Sequence, residues 1–180
     1  LKVLNFFFKS ILNFVIKREI LYIDSQENWN LFIDNIKKTN VLGIDTEFDW
    51  RTTYFPILSL IQVSTKRTVF IIDCKEIENF KEFKSILENK SVLKIFHSVR
   101  SDSTVLTNCL DIKLENVYDI QQAERILSNG EILNYASIVK KYFNVYLDKS
   151  ETNSNWLRRP LTSNQISYAA KDVSYLIKIF

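Results

Sequence analysis

Residues 41–74, VLGIDTEFDWRTTYFPILSLIQVSTKRTVFIIDC, hold three strand signals in close succession. VLGID (41–45) is an apolar strand core, and ILSLIQVST (57–65) alternates apolar with small or polar positions. TVFIIDC (68–74) is a continuous apolar run of the kind buried on both faces of a sheet. The three read as neighbouring strands of one sheet. Asp45 and Glu47 lie two apart where the first strand ends, so period-two geometry sends both carboxylates out of one face. Two ionised carboxylates side by side repel each other. Unless one takes up a proton, a bound Mg²⁺ or Mn²⁺ is the simplest way to neutralise them. A strand end open to water, with both acids merely hydrated, accounts for the pair equally well when it is read alone.

Upstream, LYIDS (21–25) is a short strand, and QENWNLFIDNIKK (26–38) spaces Trp29, Phe32, Ile33 and Ile36 as a helix does. Downstream, ENFKEFKSILEN (78–89) carries Phe80, Phe83, Ile86 and Leu87 at helical spacing. VLKIFHS (92–98) is another buried strand, and SDSTVLTNCL (101–110) opens on capping residue types and continues as a helix. Strands alternate with helices, which makes the fold class α/β. The last third reads as helical: VYDIQQAERILS (117–128), EILNYASIVKKYFN (131–144), a polar connection through 148–155, and one helix in TSNQISYAAKDVSYLIKIF (162–180). Thr162 followed three positions on by Gln165 is a capping box, which starts that helix near Ser163, and Pro160 breaks the chain just before it.

Composition bounds the rest. With 180 residues, 46% hydrophobic, the chain has the size and apolar content for one domain with a single core. Only 2 Gly and 2 Pro leave no linker or low-complexity tract. The balance of 24 Lys plus Arg against 21 Asp plus Glu, net +3, is compatible with a polyanionic partner, the more so if several carboxylates converge on one metal site. Cys74 and Cys109 form neither a CxxC nor a disulfide framework, so a reducing cytoplasm is expected. Residues 1–20, LKVLNFFFKSILNFVIKREI, are interrupted by Lys9 and lack a small-residue cleavage site, which argues against a signal peptide. Their apolar runs are also too short to span a membrane, and the pattern is that of an amphipathic helix.

Two more carboxylates stand at structured positions. Asp102 falls in the first turn of a helix entered from the strand VLKIF, where a negative charge is favoured and plain capping would explain it. Tyr168 and Asp172, four apart in the last helix, share one face. Taken in order, an Asp-Xaa-Glu strand, an Asp opening a later helix and Tyr-Xaa-Xaa-Xaa-Asp in a last helix resemble the DEDD exonuclease superfamily. GIDTEF (43–48), TYFPILSLIQVS (53–64), FHSVRSDSTVL (96–106) and WLRRPLTSNQISYAAKDVSYL (156–176) each resemble segments of ribonuclease D. Tyr168, where a second subgroup has His, places the likeness in the tyrosine subgroup.

The resemblance runs from about Leu21 to Phe180. It implies a single ribonuclease H-like domain over 21–180, a mixed sheet flanked by helices, with residues 1–20 outside it. It also implies 3′–5′ exonuclease activity on RNA with a free 3′ end, in processing of transfer RNA or other small RNAs. Asp45, Glu47, Asp102 and Asp172 would hold two divalent ions, and Tyr168 the attacking water. Thr46, Phe48, Gln62, His97, Trp156 and Arg159, with Arg158, are the candidates for substrate contact: Phe48 by stacking, the arginines by phosphate pairing. His97, the only histidine, is read as a structural or supporting group, not the base, and Asp119 as local structural support. Two other readings stand beside this one. A DNA 3′ exonuclease uses the same acids, since discrimination lies in contacts to the 2′-hydroxyl. A non-catalytic binding module should have lost one of the five site residues, and none is lost here. Members of the family generally carry helical nucleic-acid-binding domains after the exonuclease domain, which the sequence to Phe180 does not include.

Overall fold

The computed structural model describes residues 18–51 and 53–180. The amphipathic helix expected over residues 1–20 therefore lies outside the described residues, apart from a strand that already begins at Glu19. In chain order the elements are β1 (Glu19–Ile23), α1 (Gln26–Ile36), β2 (Val41–Asp49), β3 (Ile57–Ser64), β4 (Thr68–Asp73), α2 (Lys81–Leu87), β5 (Leu93–Phe96), α3 (Arg100–Leu110), β6 (Val117–Asp119), α4 (Ile120–Leu127), α5 (Tyr135–Phe143), α6 (Ser163–Ser174) and α7 (Leu176–Ile179). Among the described residues no helix is long and apolar enough to cross a membrane.

The six strands form one mixed sheet in the order β1-β4-β3-β2-β5-β6. β3 runs antiparallel to both β2 and β4, while β1, β5 and β6 pair parallel with their neighbours. The three runs that open the sequence reading are thus its centre, side by side. Alternation along them sorts residues to two faces. Leu42, Ile44, Val63, Phe70 and Ile72 join Trp29, Phe32, Ile33 and Ile36 of α1, Phe83 of α2 and Val105 and Leu106 of α3 in one core. Its centre is aromatic, with Phe32 meeting Phe70 edge to face at 5.1 Å between ring centroids. On the opposite face Leu60, Val69, Ile71 and Ile95 pack against Ala169, Ala170 and Val173 of α6, together with Ile138, Trp156 and Leu176.

The second face carries the site, and small residues let its helices come close. Ser64 donates its hydroxyl to the Val173 carbonyl at 2.9 Å, tying β3 to α6. At Gly43 an added Cβ would lie 2.5 Å from the Ser64 hydroxyl oxygen and 3.0 Å from Cβ of Leu176, so glycine is what admits α7. The capping box read at Thr162 and Gln165 is present and starts α6 at Ser163.

Three local readings are corrected. β2 does not end at Asp45 but continues to Asp49, with a register shift between Glu47 and Phe48. Residues 117–119 leave the expected helix to pair with β5, and Asp119 caps α4 by accepting from the Gln121 backbone N–H at 2.9 Å. The last helix breaks after Ser174. There the Tyr175 N–H donates to the Tyr135 hydroxyl at 3.1 Å, a tertiary bond that sequence periodicity does not display.

Gly43→Ala should destabilise the protein by roughly 1–3 kcal/mol, the range for overpacking a filled core. A lowered urea midpoint with unchanged slope would register this, and an unshifted midpoint would mean that Ser64 and Leu176 give way freely.

Candidate active site

β2 is central, so its side chains project into protein on both faces, and on the α6 face the next residues after Gly43 are Asp45 and Glu47. The pairing of β2 with β5 stops at Gly43 and Ile95, which leaves the edge beyond Gly43 for the start of α3. Asp102 arrives there in the first turn of that helix. It is buried, and its Oδ1 accepts the Thr46 hydroxyl at 2.6 Å. Asp119 supports the turn before α3 by accepting from the Ser98 and Val99 N–H groups at 3.0 and 3.1 Å. Asp172 comes from α6, one turn beyond Tyr168.

Asp45, Glu47 and Asp172 each offer a carboxylate oxygen within 4.8 Å of the others. Asp102 stands outside that group of three, turned to Thr46, although its charge acts on it. Desolvation pushes Asp45 well above the ordinary carboxylate range, and the charges of Asp102, Asp172 and Glu47 push it further. Glu47 rises to about 9, first by burial and then by Asp172 and Asp102. Burial lifts Asp172 to about 7 against the pull of Lys171 and Tyr168, and lifts Asp102 to about 6 against its bonds from Thr46. Desolvation raises Tyr168 to about 12, so its phenol is a neutral donor near neutral pH. Close-set, desolvated carboxylate oxygens are the ligand type that a hard divalent cation takes.

Asp45, Tyr168 and Asp172 also line a cavity of about 330 Å³, together with Tyr135, His97 and the exposed Lys149. Sequence reading passed over Lys149, Thr152 and Tyr135. The first two lie in the polar connection without periodicity, and Thr152 reaches the Tyr168 hydroxyl at 3.1 Å. His97 lines the cavity as a held group: its Nε2 lies 3.2 Å from the Leu133 carbonyl, its ring meets Tyr135 at 5.7 Å, and burial lowers its pKa.

Most of the side chains expected to meet substrate are buried or bonded within the protein. Gln62 is fully buried as the cross-strand neighbour of Asp45, and neither atom of its amide has a hydrogen-bond partner among the described residues. Trp156 is buried in the second core. The Arg159 guanidinium is consumed internally, bonding Asp73 at 2.5 and 2.7 Å and the Trp156 carbonyl at 2.7 Å. Burial alone would raise Asp73, but bonds from Arg159 and Tyr22 outweigh it and hold the carboxyl low. Thr46 is buried and spends its hydroxyl on Asp102, and Phe48 packs against the first core. Arg158 stays exposed.

A family model described as 3′–5′ exonuclease matches residues 20–180. Ribonuclease D of Haemophilus influenzae is 38% identical over 144 residues, covering 80% of this chain and 36% of that protein. Ribonuclease D of Desulfotalea psychrophila is 31% identical over 155 residues, covering 86% of this chain and 41% of its own length. Among solved structures, Escherichia coli RNase D, described as an exoribonuclease involved in structured RNA processing, superposes with a TM-score of 0.84 at 32% identity, covering 88% of this chain and 42% of that one. The chain thus spans less than half the length of these relatives.

The raised carboxyl pKa values make metal-free stability pH-dependent. Each group binds its proton more tightly in the folded state, so stability is fullest below the ordinary carboxylate range, near pH 4, and is lost as pH rises through about 6, 7 and 9. In chelator at pH 8, Asp45→Asn should therefore melt higher than the wild type, by about 2–4 °C or more. Added Mn²⁺ should raise the wild-type melting temperature and leave the variant nearly unmoved. Scanning fluorimetry at pH 5 and pH 8 reads both, and a wild type indifferent to Mn²⁺ at pH 8 would remove the metal site.

Proposed function

The chain belongs to the 3′–5′ exonuclease family, and from that membership we propose that it hydrolyses phosphodiester bonds one nucleotide at a time from the free 3′ end of RNA. The observation that carries the proposal is the meeting of Asp45, Glu47 and Asp172, two of which, Asp45 and Asp172, line one cavity together with Tyr168. Asp45, Glu47 and Asp172 would hold divalent cations, with Asp102 completing the set from the edge, oriented by Thr46. When bound there, two such ions supply a metal-activated hydroxide and charge stabilisation for the departing 3′ oxygen. The neutral Tyr168 phenol would orient the attacking water by a hydrogen bond, steadied from behind by Thr152. RNA is favoured over DNA as substrate because the similar proteins at 31–38% identity are ribonucleases D. The short structured RNAs of 3′ processing are the class we favour.

The test is a time course on RNA and on the matching DNA, each labelled at the 5′ end, with Mg²⁺, Mn²⁺ or chelator. A metal-dependent ladder shortening RNA from its 3′ end is expected, slowed roughly 10²–10³-fold by Asp45→Asn. Preferential shortening of DNA would keep the chemistry and overturn the substrate. Tyr168→Phe should lower kcat about 10²-fold while leaving the metal-induced rise in melting temperature in place. Loss of that rise would make Tyr168 a structural residue and not the one that orients water.

A further inference from the structure

The aromatic side chains that sequence order placed nearest the catalytic acids go two ways. Phe48 turns inward to the first core, while Trp50, Tyr54 and Phe55, in the connection from β2 to β3, stand out into solvent. Tyr54 is 88% and Trp50 44% exposed. They are organised: the Trp50 indole N–H donates to the Tyr54 carbonyl at 3.0 Å, and the Tyr54 and Phe55 rings meet edge to face at 4.9 Å. Holding three aromatic rings in water costs free energy, which the buried aromatic cluster of the first core avoids.

We propose that Trp50, Tyr54 and Phe55 are a stacking platform for unpaired RNA bases lying 5′ of the nucleotide being removed. The proposal rests on the exonuclease reading for the identity of its ligand. Position argues for it: Trp50 follows Glu47 by three residues, just past the end of β2 at Asp49, roughly 10 Å at the rise of an extended chain, so a strand whose 3′ end enters the acidic site passes within reach. Chemistry argues for it as well, because ring faces bind any base without regard to identity, which an enzyme that degrades through a sequence needs. Arg51, exposed between the rings and bonded to Asp49, sets a cation at the same tip.

The protein carries its own reporter. Of its 3 tryptophans, Trp29 and Trp156 are each 3% exposed, so iodide reaches Trp50 alone. Titrating the protein in chelator with a single-stranded 12-nucleotide RNA should quench tryptophan emission and then protect it from iodide. Trp50→Ala should erase the change and weaken binding, measured by anisotropy of labelled RNA, by about tenfold. Trp50→Phe should erase the signal and keep most of the affinity. The triple variant Trp50→Ala, Tyr54→Ala, Phe55→Ala, if it melts as the wild type does and binds RNA equally well, overturns the proposal. So does a concentration-dependent dimer that the triple variant dissolves, since a second copy would then cover the rings. Tight, quenched binding by a wild type that shortens no RNA with any metal would sink the catalytic reading and leave the platform standing.

Discussion

The alternation of side chains along β2 governs both the stability and the chemistry of this molecule. One set, Leu42 and Ile44, is committed to the aromatic core beneath α1, α2 and α3. The other set, Gly43, Asp45 and Glu47, must face α6, because a one-residue slip would exchange acids for aliphatics in both layers. The register is fixed by burial on the first face, and the acids are carried into the second as a consequence. A strand at the edge of the sheet could have left them hydrated; a central one forces them together with the helix above.

That helix is placed by contacts which are themselves unremarkable chemically. Ala169 and Ala170 shorten its distance to the sheet, Ser64 bonds its Val173 carbonyl, and Gly43 admits the segment after it. The capping box fixes where it starts, so Tyr168 and Asp172 fall at a defined rotation about its axis. Upstream, Arg159 anchors the incoming connection by its pair with Asp73 and its bond to the Trp156 carbonyl. Asp45, Glu47 and Asp172 are thereby held together out of water with Asp102 beside them, and the raised pKa values of all four reflect that burial first, with repulsion from the neighbouring acids adding to it at Asp45 and Glu47.

Sequence alone carried the α/β class, the three central strands and the capped start of α6, because each depends on spacing within a few residues; the acids at Asp45, Glu47 and Asp172 read singly as hydrated surface groups and were joined into a site only by the family likeness. The ribonuclease H-like arrangement came from the family likeness, and the sheet order is consistent with it. What eluded reading depends on partners far along the chain. Arg159 and Trp156 resemble a phosphate-binding surface in the sequence, and only the position of Asp73 turns the arginine inward. Gln62 looks like a polar contact and is instead sealed against Asp45 between strands. The break at Tyr175 is set by the hydroxyl of Tyr135, and the short β6 exists only because β5 offers an edge.

The acids that meet in space are widely separated in the order of synthesis. Asp45 and Glu47 leave the ribosome long before Asp172, and until α6 has docked they are two carboxylates on an unfinished sheet. On the proposed reading, metal affinity would belong to the completed arrangement and not to the strand, so a nascent chain with β2 already formed would have no hydrolytic centre to turn on the messenger from which it is being translated. The contact between Ser64 and Val173 joins those distant segments, and on the same reading cleavage competence would come only once α6 has docked.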